Sequence, residues 1–264
     1  MRTKGKTLDN IQSLERALRI IEILAHSEKP LGVTEIGKLI GVHKSTAYRL
    51  IYTLRQFGYV DQDEDTEKYY LGLKPLELSS IINERLDIKG IIRPYLEELS
   101  SKTGETIHLA VREGDEIVYI DKVESKHTVR MYSRIGARAP LYCTALGKCL
   151  LAFSSEDIIK RWTSKESFPQ KTENTIKTGD ELTREIERVK SQGYALDREE
   201  FEQGVKCIGV PILNRTGKAI AAISISIPTF RITEEKIEEF IPLLLKTSSE
   251  ISEKLRYLQE VKGP

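Results

Sequence analysis

Near the start of the chain, apolar residues recur at three- and four-residue steps in three short stretches, the spacing of amphipathic helices. From Ser13 to His26 this spacing predicts a supporting helix with Ser13 as its N-cap. A second, shorter helix is predicted to begin at a Thr34 cap and to end before Gly41, where a chain leaving a helix often needs a positive φ. The stripe of the supporting helix consists of Leu14, Ala17, Leu18, Ile21 and Leu24.

The third helix, which the sequence HKST at 43–46 opens, separates apolar from polar residues. Two short helices joined by a tight turn predict a helix-turn-helix, and cations and hydroxyls on the outer side of its second helix can bond phosphate oxygens and base edges. The alternative is an ordinary αα-hairpin in a helical core. The predicted core stripe is Ala47, Leu50, Ile51, Leu54 and Phe57. The predicted DNA-contacting residues are Lys44, Ser45, Thr46, Tyr48, Arg49 and Tyr52.

The segment that follows favours the DNA-binding interpretation. Gly58 to Val60 and Tyr69 to Gly72 predict two short strands around a polar turn, which together form a wing. The turn is mostly acidic, with Lys68 as its one clear cation, so we expect the wing to brace the fold more than to hold phosphate.

Charge is distributed unevenly along the chain, although the formal net charge is only +1. Residues 1–58 contain 10 Lys or Arg against 5 Asp or Glu, whereas the rest of the chain contains 31 against 35. The excess of cations therefore coincides with the predicted helix-turn-helix, as expected for a nucleic-acid interface.

Pro75 to Ser101 again has helical spacing, with a break near 87–90 and Pro94 in a predicted first turn. We interpret this segment as two linker helices. Their apolar residues are predicted to form either a dimer contact or part of a core. These residues are Leu76, Leu78, Ile81, Ile82 and Leu86.

Beyond Gly104 the pattern changes to alternating strands mixed with helices. An antiparallel sheet with helices packed on it leaves a cup on one face, a common shape for a small-molecule sensor. Thr233 is a predicted N-cap for the last helix. Strands are predicted at 106–112, 116–123, 129–133, 194–197, 205–213 and 219–227, and helices at 145–153, 156–162, 180–192 and 234–258.

Composition limits the possible classes of protein. The 264 residues are 39% hydrophobic and 31% charged, which predicts a soluble, cytoplasmic protein with room for two domains. No apolar run approaches the roughly 20 residues that span a bilayer, so we expect no membrane contact. The three cysteines, Cys143, Cys149 and Cys207, form no CxxC pair, and we expect no disulfide framework, metal site or cofactor.

Several segments in order resemble the IclR-type bacterial transcriptional regulators: SLERALRIIEIL, HKSTAYRLIYTL, TGETIHLAV, YIDKVES, RAPLYCTALGK, GYALDREEFEQGVKCIGVPI and AAISISIP. The resemblance implies an α+β protein in three parts. Residues 1–74 would form a winged helix-turn-helix domain, 75–101 a helical linker and 102–264 a GAF-like effector-binding domain with a mixed sheet. It also implies homodimers, or dimers of dimers, on palindromic operator DNA.

The resemblance further implies an effector pocket over the sheet. Amides at the start of the Ala145 helix would hold a carboxylate, two serine hydroxyls two residues apart would share one face of a strand, and Asp197 would accept from a ligand hydroxyl. Leu146 is bulkier than the residue found in some relatives, which bears on ligand size. The implied effector-binding residues are Met131, Ala145, Leu146, Asp197, Cys207, Ser224 and Ser226.

The function expected from these features is a repressor of a catabolic operon, released by a small carboxylate such as a sugar acid or keto acid. The runner-up is an enzyme that uses Cys207 or Cys143 as nucleophile and His108 as base, for which the sequence offers no third, orienting group. Each effector residue also has a structural alternative. Cys207 can be a buried small hydrophobe, the two serines can satisfy neighbouring backbone, and Asp197 can lie in a solvated turn.

Overall fold

The computed structural model describes residues 11–85, 87–131 and 133–261. The chain divides into two compact units, Met1–Leu86 and Asp87–Pro264. None of the helices within the described ranges is long and apolar enough to cross a membrane.

The N-terminal unit is a winged helix-turn-helix. Gly41, with φ of 71°, makes the left-handed turn between the second and third helices. The two wing strands pair antiparallel, and Leu31 adds a bridge to Tyr69. The elements are α1 (Gln12–His26), α2 (Val33–Leu39), α3 (Lys44–Gln56), β1 (Val60–Gln62), β2 (Tyr69–Leu71) and α4 (Lys74–Arg85).

Helix ends and stripes in this unit differ in detail from those predicted. The N-caps of α1 and α2 are Ile11 and Gly32. Ser13 and Thr34, the predicted caps, are each the second residue of their helix. Leu14, Leu18 and Phe57 are exposed rather than in the core. The buried face of α1 is instead centred on Ile20 and Leu24, which pack against α2, α3 and the wing. The predicted side chains of Ile82 and Leu86 lie outside what the structure describes.

The C-terminal unit is built on one six-stranded sheet in the order β5-β4-β3-β8-β7-β6. Every pair of strands in this sheet is antiparallel, as the strand pattern predicted, and the mixed sheet that the resemblance implied is wrong. Its elements are α5 (Asp87–Thr103), β3 (Thr106–Glu113), β4 (Glu116–Val123), β5 (Arg138–Pro140), α6 (Ala145–Ala152), α7 (Glu156–Thr163), α8 (Gly179–Gln192), β6 (Ala195–Arg198), β7 (Val205–Leu213), β8 (Ala219–Pro228) and α9 (Glu234–Val261).

Two apolar clusters lie on opposite faces of this sheet. Ile107, Leu109 and the isoleucines of β7 and β8 pack against α5 and α9. The other face packs against α6, α7 and α8. Alternating side chains on each strand supply both clusters, which is why the central strands read as almost continuously apolar.

Two further predictions for this unit are wrong and one is confirmed. The described residues of 129–133 do not form a strand, and Arg138–Pro140 pairs with β4 instead. Pro94 lies inside α5 rather than in a first turn. Thr233 does cap α9: its hydroxyl oxygen accepts from the Lys236 amide at 3.4 Å.

Candidate functional site

The outer face of α3 is exposed and polar. All six predicted DNA-contacting residues are exposed, whereas Ala47, Ile51 and Leu54 on the opposite side are buried. The rings of Tyr48 and Tyr52 stack with their centroids 6.5 Å apart. The six exposed residues predicted to contact DNA are Lys44, Ser45, Thr46, Tyr48, Arg49 and Tyr52.

The start of α3 is open to an anion. His43 is the N-cap but makes no side-chain hydrogen bond to the first turn. The amide of Thr46 donates to the His43 carbonyl at 3.0 Å, and the first-turn amides of Lys44 and Ser45 precede it. A helix N-terminus with a lysine and hydroxyls beside it is suited to a phosphate group.

The wing is fastened to the end of α3. Arg55 donates from Nη1 to Oε1 of Gln62 on β1 at 2.9 Å. At the wing turn, the Asp63 carboxylate accepts from both the amide and the hydroxyl of Thr66, and these bonds hold the pKa of Asp63 below its ordinary value. The turn is thus ordered by its own carboxylate.

In the C-terminal unit, the sheet register brings polar residues from four strands onto one face. Asp197 on β6 lies opposite Cys207 on β7, and Cys207 lies opposite Ser226 on β8. Two residues before Ser226 on β8, Ser224 lies opposite His108 on β3. Residues opposite each other in a sheet share a face, and positions two apart on a strand do too. All five side chains therefore lie on the α6 side of the sheet, and all are buried.

The first turn of α6 packs directly on this face. A Cβ added at Gly209 of β7 would come within 2.9 Å of the Ala145 carbonyl, so only glycine permits this approach. Thr144 caps the helix by accepting from the Gly147 amide at 3.0 Å. Among the described residues, the preceding amides of Ala145 and Leu146 have no helix acceptor and face the start of the helix. The structure thus brings Ala145 to the polar row.

The other two implied effector residues lie differently. The side chain of Leu146 belongs to the apolar cluster beneath α6. Met131 is half-buried in the irregular segment between β4 and β5, two residues before Ser133. Ser133 is tied to the sheet, because Lys122 donates from Nζ to its carbonyl at 2.5 Å.

A hydrogen-bonded chain runs through the polar row and reaches this segment. Cys207 Sγ lies 3.2 Å from Ser226 Oγ, Ser226 Oγ lies 3.1 Å from His108 Nδ1, and His108 Nε2 lies 2.8 Å from Ser133 Oγ. The Tyr119 ring lies 5.2 Å from the imidazole. His108 points away from the face that Ile107 and Leu109 line, as strand alternation requires. Its hydrogen bonds to Ser226 and Ser133 were not predicted, because these partners are distant in sequence.

A buried ionic network holds the Asp197 loop to α6. Lys148 Nζ lies 2.5 Å from Glu200 Oε1 and 3.0 Å from Glu185 Oε1, and it donates to the Leu196 carbonyl at 2.5 Å. The Glu200 amide donates to Asp197 Oδ1 at 2.7 Å. Burial lowers the pKa of Lys148, but the two glutamates more than offset this and the net shift is upward.

Burial also shifts the two titratable groups of the polar row, in opposite directions. It raises the pKa of Asp197 to about 7, helped by the neighbouring Glu200 charge. It lowers the pKa of His108 to about 4, helped by Lys122. At neutral pH the imidazole is therefore uncharged.

The same burial keeps the cysteines protonated. It raises the pKa of Cys143 to about 12 and raises that of Cys207 well above its ordinary value. A thiol nucleophile needs a lowered pKa, so neither cysteine has the electrostatics of one. Within the described ranges, no group of three or more His, Cys, Asp or Glu could hold a metal ion.

A charged cleft of about 560 Å³ lies near the ionic network and is lined in part by Glu185, Arg198 and Glu200. It includes none of the implied effector residues, which are buried apart from the half-buried Met131.

A winged helix-turn-helix unit with an exposed polar recognition helix defines a DNA-binding protein of the helix-turn-helix class. Two family models match the chain: the IclR helix-turn-helix domain at residues 13–64 and the bacterial transcriptional regulator IclR C-terminal domain at 82–253. The chain therefore belongs to the IclR family of bacterial transcriptional regulators, as the sequence resemblance implied.

Individual relatives agree along almost the whole chain. The HTH-type transcriptional regulator KdgR of Escherichia coli is 39% identical over 252 residues, covering 96% of this chain and 95% of the relative. The transcriptional repressor IclR of the same organism is 30% identical over 244 residues, covering 92% and 89%. The crystal structure of the Thermotoga maritima IclR has a TM-score of 0.82 at 38% identity, covering 94% and 100%. The predicted α+β fold class is thereby confirmed.

Proposed function

We propose that this protein represses a catabolic operon from the cytoplasm and is released from operator DNA by a small carboxylate, such as a sugar acid or keto acid. The exposed polar face of α3, in a unit separate from the buried polar row, carries the proposal. Repression, rather than activation, is supported by the name of the relative IclR, a transcriptional repressor. Neither a metal, a cofactor nor a membrane is part of this function.

In the proposed complex, Ser45, Thr46 and Arg49 contact the operator and Lys44 mainly meets phosphate, because the lysine stands at the first residue of α3. Tyr48 and Tyr52 add a flat surface along the same face.

Two substitutions on α3 test the interface. Lys44→Ala should weaken binding to all sequences about equally and reduce the slope of affinity against salt by about one. Arg49→Ala, if its guanidinium is bidentate to guanine, should relax specificity at one base position at a cost of about 1–3 kcal/mol. Lys246→Ala removes an exposed charge from the other unit and serves as control. Fluorescence anisotropy with operator DNA selected from random sequence measures all three; unchanged affinity in both α3 variants would remove α3 from the interface.

A carboxylate ligand is supported by the donors around the polar row. The amides of Ala145 and Leu146 carry the positive end of the α6 dipole. The hydroxyls of Ser224 and Ser226 can donate, and protonated Asp197 can donate as well, because its pKa is raised to about 7. Cys207 and Met131 would complete the wall of the pocket. The enzyme alternative is disfavoured by the protonated thiols.

We further propose that two copies of the chain associate through α1 and α4, because one recognition helix covers only a few base pairs and a two-fold dimer fits a palindromic operator. Exposed apolar side chains on both helices support this partner. A dimer of such dimers is the proposed larger assembly. In this arrangement residues 1–74 bind DNA, 75–101 link and pair the chains, and 102–264 bind the effector. The exposed apolar residues are Leu14, Leu18, Leu76, Leu78 and Ile81.

A further inference from the structure

The chain of hydrogen bonds from Cys207 through Ser226 and His108 to Ser133 has a direction, because a neutral imidazole has one N–H donor and one bare nitrogen acceptor. The lowered pKa of His108, about 4, keeps the ring neutral at physiological pH. All four residues are buried, so an unused donor within the chain is not compensated cheaply.

Two directions are possible, and they leave different groups without a partner. In the first, Cys207 donates to Ser226, Ser226 donates to Nδ1, and Nε2–H donates to Ser133. The hydroxyl proton of Ser133 then has no acceptor among the described residues. In the second, Ser133 donates to Nε2, Nδ1–H donates to Ser226, and Ser226 donates to Cys207 Sγ. Only the thiol proton of Cys207 is then unused.

The second direction is favoured by the cost of the unused donor. A hydroxyl is a strong donor and is expensive to bury without an acceptor, whereas a thiol is a weak donor that is commonly buried as a small hydrophobe. The imidazole therefore carries its proton on Nδ1. Ser226 Oγ accepts that proton, and its own hydroxyl proton points away from the ring.

We propose that His108 is a positioning residue that holds the Ser226 hydroxyl as a hydrogen-bond donor toward the pocket. The pocket then selects ligands that present an oxygen acceptor, such as a carboxylate or keto oxygen, at this position. This inference rests on the effector pocket proposed above. On binding, Ser226 turns its proton from the weak acceptor Cys207 Sγ to the stronger ligand oxygen, while the imidazole keeps its tautomer.

The tautomer can be measured in the ligand-free protein. The chain contains four histidines, and ¹⁵N labelling of histidine with two-bond ¹H–¹⁵N couplings shows which nitrogen of each ring carries the proton. Signals of residue 108 are assigned by their loss in His108→Gln. The expected result is Nδ1–H with a bare Nε2. An Nε2–H tautomer, or an equal mixture, would overturn the inference.

Two variants test whether the hydrogen bond to Ser226, and not some other contact, fixes the tautomer of His108. In Ser226→Ala each tautomer leaves one donor without an acceptor, Nδ1–H in one and the Ser133 hydroxyl in the other, so the preference for Nδ1–H should be lost and a mixture of the two tautomers should appear. Ser224→Ala is the matched control: it lies on the same strand and opposite His108 in register, but the imidazole bonds Ser226. The control should keep Nδ1–H. A Ser226→Ala protein that also keeps Nδ1–H would contradict the proposed chain.

A second arm separates this inference from the proposed effector class. Pyruvate and D-gluconate are titrated into the wild type and followed by thermal shift. Nδ1–H together with no response to either probe would keep the role of His108 and count against a small carboxylate as effector. Nε2–H together with binding of a probe would reject the role of His108 and keep the effector class.

Discussion

Burial makes the charged forms of Asp197 and His108 costly to folding, and the two costs depend on pH in opposite ways. The folded pKa of Asp197 is raised from 3.8 to about 7, so its penalty to folding is absent at low pH and complete above about pH 7. The folded pKa of His108 is lowered from 6.5 to about 4, so its penalty is absent above its unfolded pKa and complete below about pH 4. Between these limits the two slopes of stability against pH largely cancel.

Asp197→Asn isolates the carboxylate, because the amide oxygen can still accept from the Glu200 amide. The variant should gain stability relative to wild type as pH rises, by roughly 2–3 kcal/mol between pH 5 and pH 8, since each pKa unit is worth about 1.4 kcal/mol. Urea unfolding of both proteins at the two pH values gives the difference directly. A difference independent of pH would show that Asp197 ionises normally in the folded protein.

The position of a residue could be predicted when it depends on neighbours in sequence, and not when it depends on partners far away in the chain. The outward set on α3 follows from helical spacing alone, and Lys44 and Arg49 are exposed as expected. The side on which His108 lies follows from strand alternation. Its partners do not, because Ser133 and Ser226 are 25 and 118 residues away in sequence. Only the sheet register and the path of the irregular segment bring these groups together.

At the scale of elements, two different interactions hold α6 over the polar row. Gly209 lets its first turn approach β7, and Lys148 ties its middle to Glu185 on α8 and to the loop after β6. Breaking such a buried ionic group on one side leaves an uncompensated charge, which is strongly destabilising. The position of the Ala145 amides therefore depends on close packing below the helix and on charge beside it.

Gly209→Ala should force α6 away from β7, because the new Cβ would lie within about 3 Å of the Ala145 backbone. The expected loss is about 1–3 kcal/mol of unfolding free energy, with weaker effector binding. Gly90→Ala is the matched control, since nothing lies within 4 Å of its Cβ position on α5 and alanine favours a helix. Urea unfolding measures both; equal stability of the two variants would show that α6 adjusts without cost.

Leu76 on α4 is 69% exposed, and the nearby Leu73, Leu78 and Ile81 are exposed as well, a clustering of apolar side chains that favours a contact surface. Leu76→Asp should shift the protein from dimer toward monomer in sedimentation equilibrium and weaken operator binding with it. Phe230→Asp changes a side chain that is 70% exposed in the other unit and should leave the dimer intact. A sharp monomer in the wild type at micromolar concentration, combined with tight operator binding, would contradict pairing through α4.

Helices and strands could be predicted where apolar residues recur at a regular spacing. The segment that pairs with a strand at the edge of the sheet could not. The strands at 116–123 and 205–213 match their predicted bounds, because alternation and turns mark both ends. The segment 129–133 alternates like a strand, but its described residues form none, and β4 pairs with Arg138–Pro140 instead. Which of two nearby segments pairs with an edge strand depends on the connection, and the period of side chains contains no information about it.

At the scale of the whole molecule, the two units can communicate only if the ligand or the operator binds two states of the protein with different free energy. Coupling of about 1–3 kcal/mol, typical of allosteric proteins, would change operator affinity by roughly 5- to 150-fold. Linkage then requires that operator DNA change effector affinity by the same factor. A repressor with no such reciprocity would not be controlled by its effector.

Replacing Ser224 and Ser226 together by alanine tests whether effector binding can be weakened without changing ligand-free operator binding. The double variant should bind the effector weakly, because two donors to its oxygens are gone, while operator affinity without ligand should remain near that of the wild type. Ser248→Ala removes a buried hydroxyl that donates to the Pro211 carbonyl elsewhere in the unit, so it controls for the loss of a buried hydrogen bond. Calorimetry with the effector and a gel shift without it form the paired measurement. Normal effector binding by the double variant would make the two serines structural, and loss of ligand-free DNA binding would show that they act through folding instead of recognition.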